Sequence, residues 1–355
     1  MNKNFQLALN KKNNLCPPIW FMRQAGRYHS HYQGLRVQYT FEQLCKQPLL
    51  AAEVALGPVL DFGFDTAILF SDILFPLEAL GCDLEFTDKG PKLGPKPTTN
   101  FTTTQDAIAQ LQFQFDALSE TRRQLPHDKS LIGFIGGPWT LFTYWMEDTH
   151  QGPLLKSKSH LSYYSNWLTN ILAPLIEESI RNQLASGAEV VMIFDTSAGE
   201  LSPTLFQEVV TPWIKKWTNL FPNQIMYYAR GVQPAHYQDS LWMQKSNLLG
   251  IGVDHRWSLK QAFELFPDKV IQGNFDQSLL FLPTDEFKLH FEKYLDEVLS
   301  LPSDFLQRWV CGLGHGVLPK TPESHVRWII QRVRERFKMK SNLEAKGQEQ
   351  IYSQN

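Results

Sequence analysis

Eight short runs of mostly apolar residues, rich in β-branched and aromatic side chains, recur along the chain at 18–22, 66–70, 131–135, 190–194, 224–228, 248–253, 269–271 and 309–313. Continuous rather than alternating apolar character is the mark of strands covered on both faces, as in a parallel sheet flanked by helices. The segments between them carry helix-start chemistry. Ser202-Pro203 precedes Leu205, Val209 and Val210, and Thr321-Pro322 precedes Val326, Ile329, Ile330 and Val333, each pairing an N-cap hydroxyl with proline at the first helical position. Strand and amphipathic helix alternating eight times predict an α/β chain folded as a single (β/α)8 TIM barrel, which commonly reaches 355 residues as one unit. The alternation breaks between Gly81 and Pro97, where Leu84-Glu85-Phe86, then Thr87-Asp88-Lys89-Gly90, then a Gly/Pro-rich return predict a small β-hairpin insertion, read as peripheral decoration. The barrel is expected over residues 1–338; beyond Met339 the chain turns polar and loses its period, which predicts a disordered C-terminal tail over 339–355.

Bulk properties remove whole classes of partner. A net charge of −2 and a pI near 6.6 leave no basic footprint for nucleic acid, so any anion site must be local. The four cysteines, Cys16, Cys45, Cys82 and Cys311, are scattered without a C-x-x-C pair, which suits a reduced, cytoplasmic protein and offers no zinc or redox motif. Residues 1–14 are polar, without the apolar stretch of a signal peptide, and no later segment is long enough to span a bilayer, so membrane insertion is not expected.

On such a barrel the catalytic groups sit just beyond the C-terminal ends of the strands. Beyond the apolar runs lie Arg23 and Arg27; Ser71 and Asp72; Trp139 and Tyr144; Asp195 and Thr196; Arg230; Asp254, His255 and Arg256; Asn274 and Asp276; and His315. Arg23 and Arg27 are four residues apart in Phe21-Met22-Arg23-Gln24-Ala25-Gly26-Arg27-Tyr28, a spacing that converges in a helical turn or in a tight turn at Gly26. A planar guanidinium takes a carboxylate or phosphate with two parallel hydrogen bonds. Cations, acids and a phenol around one mouth suit a large, flat polyanion, and no Gly-rich loop has the P-loop or dinucleotide spacing, so no nucleotide cofactor is expected.

The octapeptide resembles the N-terminal signature of the uroporphyrinogen decarboxylase family. Phe70-Ser71-Asp72-Ile73-Leu74, Gly136-Gly137-Pro138-Trp139-Thr140-Leu141 with Tyr144, Phe194-Asp195-Thr196-Ser197-Ala198-Gly199, Gly273-Asn274-Phe275-Asp276 and Gly314-His315-Gly316 follow in the family's order, so the resemblance spans roughly residues 15–338. It implies a barrel, a homodimer, a porphyrinogen substrate and removal of four acetate carboxyls without metal or organic cofactor. It further implies that Asp72 stabilises the transiently cationic pyrrole, that Arg23 and Arg27 bind substrate carboxylates, that Tyr144 orients Asp72 or substrate, that Thr196 keeps the hydroxyl of the family's serine, and that His315 contacts a carboxylate.

Each of these residues also has an ordinary structural role open to it. An isolated arginine most often makes an ion pair, Ser71-Asp72 would serve as an N-cap after a strand, a tyrosine at the rim most often packs, and a lone histidine is most often a satisfied structural group. Rim salt bridges are the reading preferred for Arg230, Asp254 and Arg256. Gly312, Gln277 and Ser30-His31 depart from the family's pattern beside the motifs rather than on the reactive groups. Two rival functions remain. A zinc-dependent, corrinoid-linked methyltransferase of the same superfamily needs a His-x-Cys pair and a further cysteine, and no His-x-Cys occurs here. A non-catalytic porphyrin carrier would keep the cleft and lose turnover.

Overall fold

The computed structural model describes the chain apart from residues 1–2, 11, 13–15, 88–89, 98–99, 150, 238–244 and 353–355, and gives only the backbone of 3–4 and 344–352. In chain order the strands are β1 (Thr66–Ile68), β2 (Leu84–Thr87), β3 (Gly90–Leu93), β4 (Ser130–Gly136), β5 (Val190–Phe194), β6 (Ile225–Tyr228), β7 (Gly250–Gly252), β8 (Val270–Phe275) and β9 (Trp309–Leu313). Seven of them form one parallel sheet in the order β1-β4-β5-β6-β7-β8-β9. Every residue in these seven strands is buried, the burial on both faces that unbroken apolar runs require.

The eighth run behaves differently. Ile19 makes a single parallel bridge to Cys311 of β9: Cys311 N–H donates to Pro18 O (2.9 Å) and Trp20 N–H to Cys311 O (3.2 Å). On its other side Asp65 N–H donates to Ile19 O (3.0 Å), one residue before β1. The run therefore joins the two edges of the curled sheet and closes the barrel. Its ladder is short because Pro17 and Pro18 have no N–H to give, and the Ile19 N–H is taken by the Asp65 carboxylate (2.9 Å) rather than by a carbonyl.

Helix-start signals are realised unevenly. Ser202 caps helix Pro203–Val209 by accepting from Leu205 N (3.3 Å). Thr321 does not cap; its hydroxyl donates to Leu318 O (2.8 Å) and the last helix begins at Glu323. That helix runs to Tyr352, through the segment where loss of period predicts a disordered tail. Residues 338–345, Lys-Met-Lys-Ser-Asn-Leu-Glu-Ala, hold no Pro or Gly and are mostly good helix formers, so the backbone stays helical. What ends there is packing: Phe337 is buried whereas Met339 and Leu343 are exposed. Hydrophobic period reports burial, not helicity.

The hairpin forms as expected, β2 pairing antiparallel with β3 and Phe86 opposite Pro91. It is not decoration, because it reaches the mouth of the barrel.

Candidate active site

A cleft of about 420 Å³ opens at the C-terminal ends of the strands, and Arg23, Arg27, Asp72, Tyr144, Thr196 and His315 all line it. Its floor is aromatic. Phe134 in β4 and Phe194 at the end of β5 meet with tilted rings 5.6 Å apart, Phe194 meets Tyr228 of β6 edge-on at 6.1 Å, and Tyr228 meets the His315 ring at 6.2 Å.

The arginine turn is built by its neighbour. Gln24 is fully buried; its Oε1 accepts from Phe21 N (3.1 Å) and its Nε2 donates to Thr66 O (2.8 Å). These two bonds tie the turn to the first residue of β1. They hold Arg23 at φ 61°, a left-handed conformation that costs a non-glycine residue roughly 1 kcal/mol or more and is found where surrounding structure imposes it. The Arg23 stem lies on Gly316, where a Cβ would come within 2.6 Å of Arg23 Cδ, and Val317 N–H donates to Met22 O (2.9 Å). The first and last motifs of the chain thus assemble one corner of the cleft. Both arginines are exposed, and among the described residues neither guanidinium has a hydrogen-bond or carboxylate partner. The ordinary ion-pair role is unfilled.

Asp72 follows β1 and is half-buried on the cleft. Its Oδ1 accepts from Leu74 N (2.9 Å), the Asx turn that leads into helix Phe75–Ala79, so the capping role is real and occupies one oxygen. Burial pushes its pKa up, against the Leu74 N–H and the Arg23 charge, which favour the carboxylate. Ser71 beside it is held by the buried Gln114 (Nε2 to Oγ, 2.8 Å). Tyr144 is buried except for its edge on the cleft. Burial and then the Asp72 charge push its phenol up, with Arg23 opposing, so it remains a protonated donor. His315 Nδ1 accepts from Gly316 N (2.7 Å), which leaves Nε2 to carry the proton of the neutral ring.

Other residues at strand ends are absorbed by structure. Asp195 is fully buried: Oδ1 takes Thr140 N (2.8 Å) and Thr140 Oγ (2.7 Å), and Oδ2 takes Tyr227 OH (3.2 Å). It caps helix Pro138–Glu147, whose own N-cap is Gly137, and a Cβ on Gly137 would strike Asp195 Cβ at 2.3 Å. Burial pushes Asp195 up to about 6 despite the Thr140 hydroxyl and N–H. Its task is to place the helix that carries Tyr144. Trp139 is fully buried in the core, Asp254 pairs with Arg256 (2.6 Å), Asn274 donates to Trp257 O (2.7 Å), and Asp276 binds Ser278 N (2.9 Å).

Sequence reasoning passed over Gln24, whose signal was a lone amide inside an otherwise apolar approach to the turn. It passed over the Gly137–Asp195 lock, whose signal was a helix start with Pro at N1 and no capping side chain. The hairpin was expected from the sequence but only as decoration, whereas it contributes Phe86, Thr87, Gly90 and Pro91 to the cleft wall.

The sequence profile of the uroporphyrinogen decarboxylase (URO-D) family matches residues 1–336. Among curated relatives, the uroporphyrinogen decarboxylase of Orientia tsutsugamushi (strain Ikeda) is 33% identical over 349 residues, 94% of this chain and 98% of the relative. That of Helicobacter acinonychis (strain Sheeba) is 35% identical over 349 residues, 93% of this chain and 98% of the relative. Among solved structures, a methyltransferase from Methanosarcina mazei superposes with a TM-score of 0.74 at 19% identity, covering 95% of this chain and 98% of that one. A B12-independent methionine synthase from Shewanella sp. W3-18-1 superposes with a TM-score of 0.54 at 12% identity, covering 93% and 97%. At such identities these two likenesses concern the fold alone.

Proposed function

The chain belongs to the uroporphyrinogen decarboxylase family, and from that membership together with the cleft we infer that Arg23, Arg27, Asp72, Tyr144, Thr196 and His315 carry out decarboxylation of a porphyrinogen. The enzyme is a carboxy-lyase that converts the acetate side chains of uroporphyrinogen III to methyl groups, giving coproporphyrinogen III and four CO2. In each round a proton adds to the α-carbon next to the pyrrole carbon bearing the acetate and makes the ring cationic, the carboxylate leaves as CO2, its C–C electrons form an exocyclic C=CH2 bond that neutralises the ring, and a second proton on the exocyclic carbon followed by loss of the first restores the pyrrole and completes the methyl group. The net change per round is one proton in and one CO2 out, so the pyrrole itself is the electron sink and no metal or organic cofactor is called for.

The observation that carries this reading is a pair of guanidiniums that have no partner among the described residues, beside a half-buried carboxylate with one oxygen committed to Leu74 N. Arg23 and Arg27 bind carboxylates by their planar forks. Asp72 stabilises the cationic ring and its N–H groups, an interaction stronger in the transition state than in the ground state and therefore one that raises kcat. Tyr144 and the Nε2–H of His315 donate to Asp72 or to substrate carboxylates, and Thr196 supplies a hydroxyl. The thiols of Cys16, Cys45, Cys82 and Cys311 are all pushed up by burial, which disfavours the thiolate chemistry of the methyltransferase reading.

Homodimeric assembly in the cytoplasm, without nucleic acid as a partner, belongs to the same proposal and rests on the family resemblance; sedimentation of only a 41.0 kDa species at micromolar concentration would oppose it. Among the described residues no helix is long and apolar enough to cross a membrane. Anaerobic incubation with uroporphyrinogen in the presence of a chelator, followed by oxidation and chromatography, tests the function. The four-carboxyl porphyrin is the expected product. Unchanged octacarboxyl substrate would favour the carrier reading, and activity restored only by zinc would favour the methyltransferase.

A further inference from the structure

The hairpin wall has a chemistry opposite to the arginine corner. Phe86 and Pro91 are register partners, so their side chains share one face, and both line the cleft. Phe86 is held edge-on against Phe41 (4.7 Å) and Phe75 (5.6 Å), and Phe41 continues to Phe70 on the cleft (5.8 Å). Behind the hairpin, Lys96 Nζ donates to Trp145 O (2.6 Å) in the last turn of the helix that carries Tyr144. The hairpin is therefore fixed to the elements that present both Asp72 and Tyr144. Among the described residues its cleft face offers a carboxylate no side-chain donor: Phe86 and Pro91 have no polar side-chain atoms, and the Thr87 hydroxyl gives its proton to Gly90 O (2.7 Å).

On the reading given above, the substrate changes character as it is processed, because each round replaces an anionic acetate by an apolar methyl. We propose that the Phe86–Pro91 wall is the specificity-determining surface for the later rounds. It receives methyl groups made in earlier rounds and rejects acetates, which would lose water there without gaining a donor, while Arg23 and Arg27 hold the acetate-bearing side of the macrocycle. Methyl-bearing intermediates thereby bind in the orientation that presents a remaining acetate to Asp72.

The decisive quantity is the ratio of kcat/KM for the five-carboxyl porphyrinogen to kcat/KM for the eight-carboxyl one, measured anaerobically by product chromatography. Phe86→Ala lowers this ratio about fourfold for each substrate methyl that the wall no longer shields from water, the worth of burying one methyl-sized group, and makes seven- to five-carboxyl intermediates accumulate. Pro91→Lys places a cation on the same wall without touching the Phe41–Phe86–Phe75 contacts and lowers the ratio by favouring acetate there. Should Phe86→Ala fail to fold, Pro91→Lys alone decides. The proposal is overturned if folded variants keep the wild-type ratio, or if both rate constants fall by the same factor, as a purely structural wall would give. Wild-type protein that leaves uroporphyrinogen unchanged defeats the functional reading itself, whereas an active wild type with an unmoved ratio defeats only the hairpin assignment.

Discussion

Replacing Asp72 by asparagine separates its capping role from the catalytic one proposed for it. Its Oδ1 accepts one hydrogen bond, from Leu74 N at 2.9 Å, and the amide oxygen of asparagine accepts the same bond, so the turn into helix Phe75–Ala79 survives. Burial raises the Asp72 pKa, which means that folding disfavours its charged form. The sign follows: this carboxylate lowers stability as pH rises from its ordinary range through its folded value, and Asp72→Asn removes that cost. The variant should therefore melt at or slightly above the wild-type temperature near neutral pH. Turnover should move the other way. Loss of one preorganised electrostatic partner typically reduces kcat by roughly 10²–10³, about 3–4 kcal/mol of transition-state stabilisation. Asp72→Ala provides the control, since it removes the Leu74 bond as well and should cost about 0.5–2 kcal/mol of stability on top of the lost activity. Thermal melting and single-turnover decarboxylation on the same preparations read both effects. A stable Asp72→Asn enzyme with near-normal kcat would refute the catalytic assignment and leave Asp72 as a cap.

The arginine corner yields a matched pair of tests: Arg23→Lys or Arg27→Lys keeps the charge but loses the fork, and Gly316→Ala pushes a methyl to within 2.6 Å of Arg23 Cδ. Each should raise KM by about an order of magnitude, the worth of one charge-assisted hydrogen bond, with little change in melting temperature; unchanged kinetics in all three would remove the arginines from the substrate. Asp195, raised from 3.8 to about 6, should lower stability by about 3 kcal/mol as pH climbs from about 4 to about 6, because the folded state holds its proton over that interval and the unfolded state does not. Asp195→Asn keeps the Thr140 bonds and should flatten that slope, and melting curves with the same slope as wild type between those pH values would contradict the buried-carboxylate account.

Most of the barrel was legible because a strand buried on both faces leaves an unbroken apolar run, and β4, β5, β6 and β9 sit within a residue of those runs. The first run was legible as strand-like but not as a single-bridge closure, because that outcome depends on Asp65 intercepting the Ile19 N–H from 46 positions away. The last helix overran its expected end because polar helix formers keep backbone hydrogen bonds after packing stops. In the site, Arg23, Arg27, Asp72, Tyr144, Thr196 and His315 lay inside motifs and could be named. The ones that hold them, Gln24, Gln114 and Asp195, are buried polar groups whose partners come from distant segments, and no local pattern announces such a pairing. The hairpin was visible as a turn between short strands, yet its bearing on the cleft depends on Phe86 finding Phe41 and Phe75 in three dimensions.

The central claim is that this cleft exchanges acetate carboxyls for solvent-derived protons on a porphyrinogen, without a cofactor. Anaerobic turnover of uroporphyrinogen in D2O with a chelator present, with CO2 counted and the product methyl groups examined by NMR, tests it most directly. Four CO2 per macrocycle and one deuterium in each new methyl group are the predicted result. Recovery of the octacarboxyl macrocycle, or new methyl groups without deuterium, would contradict the account.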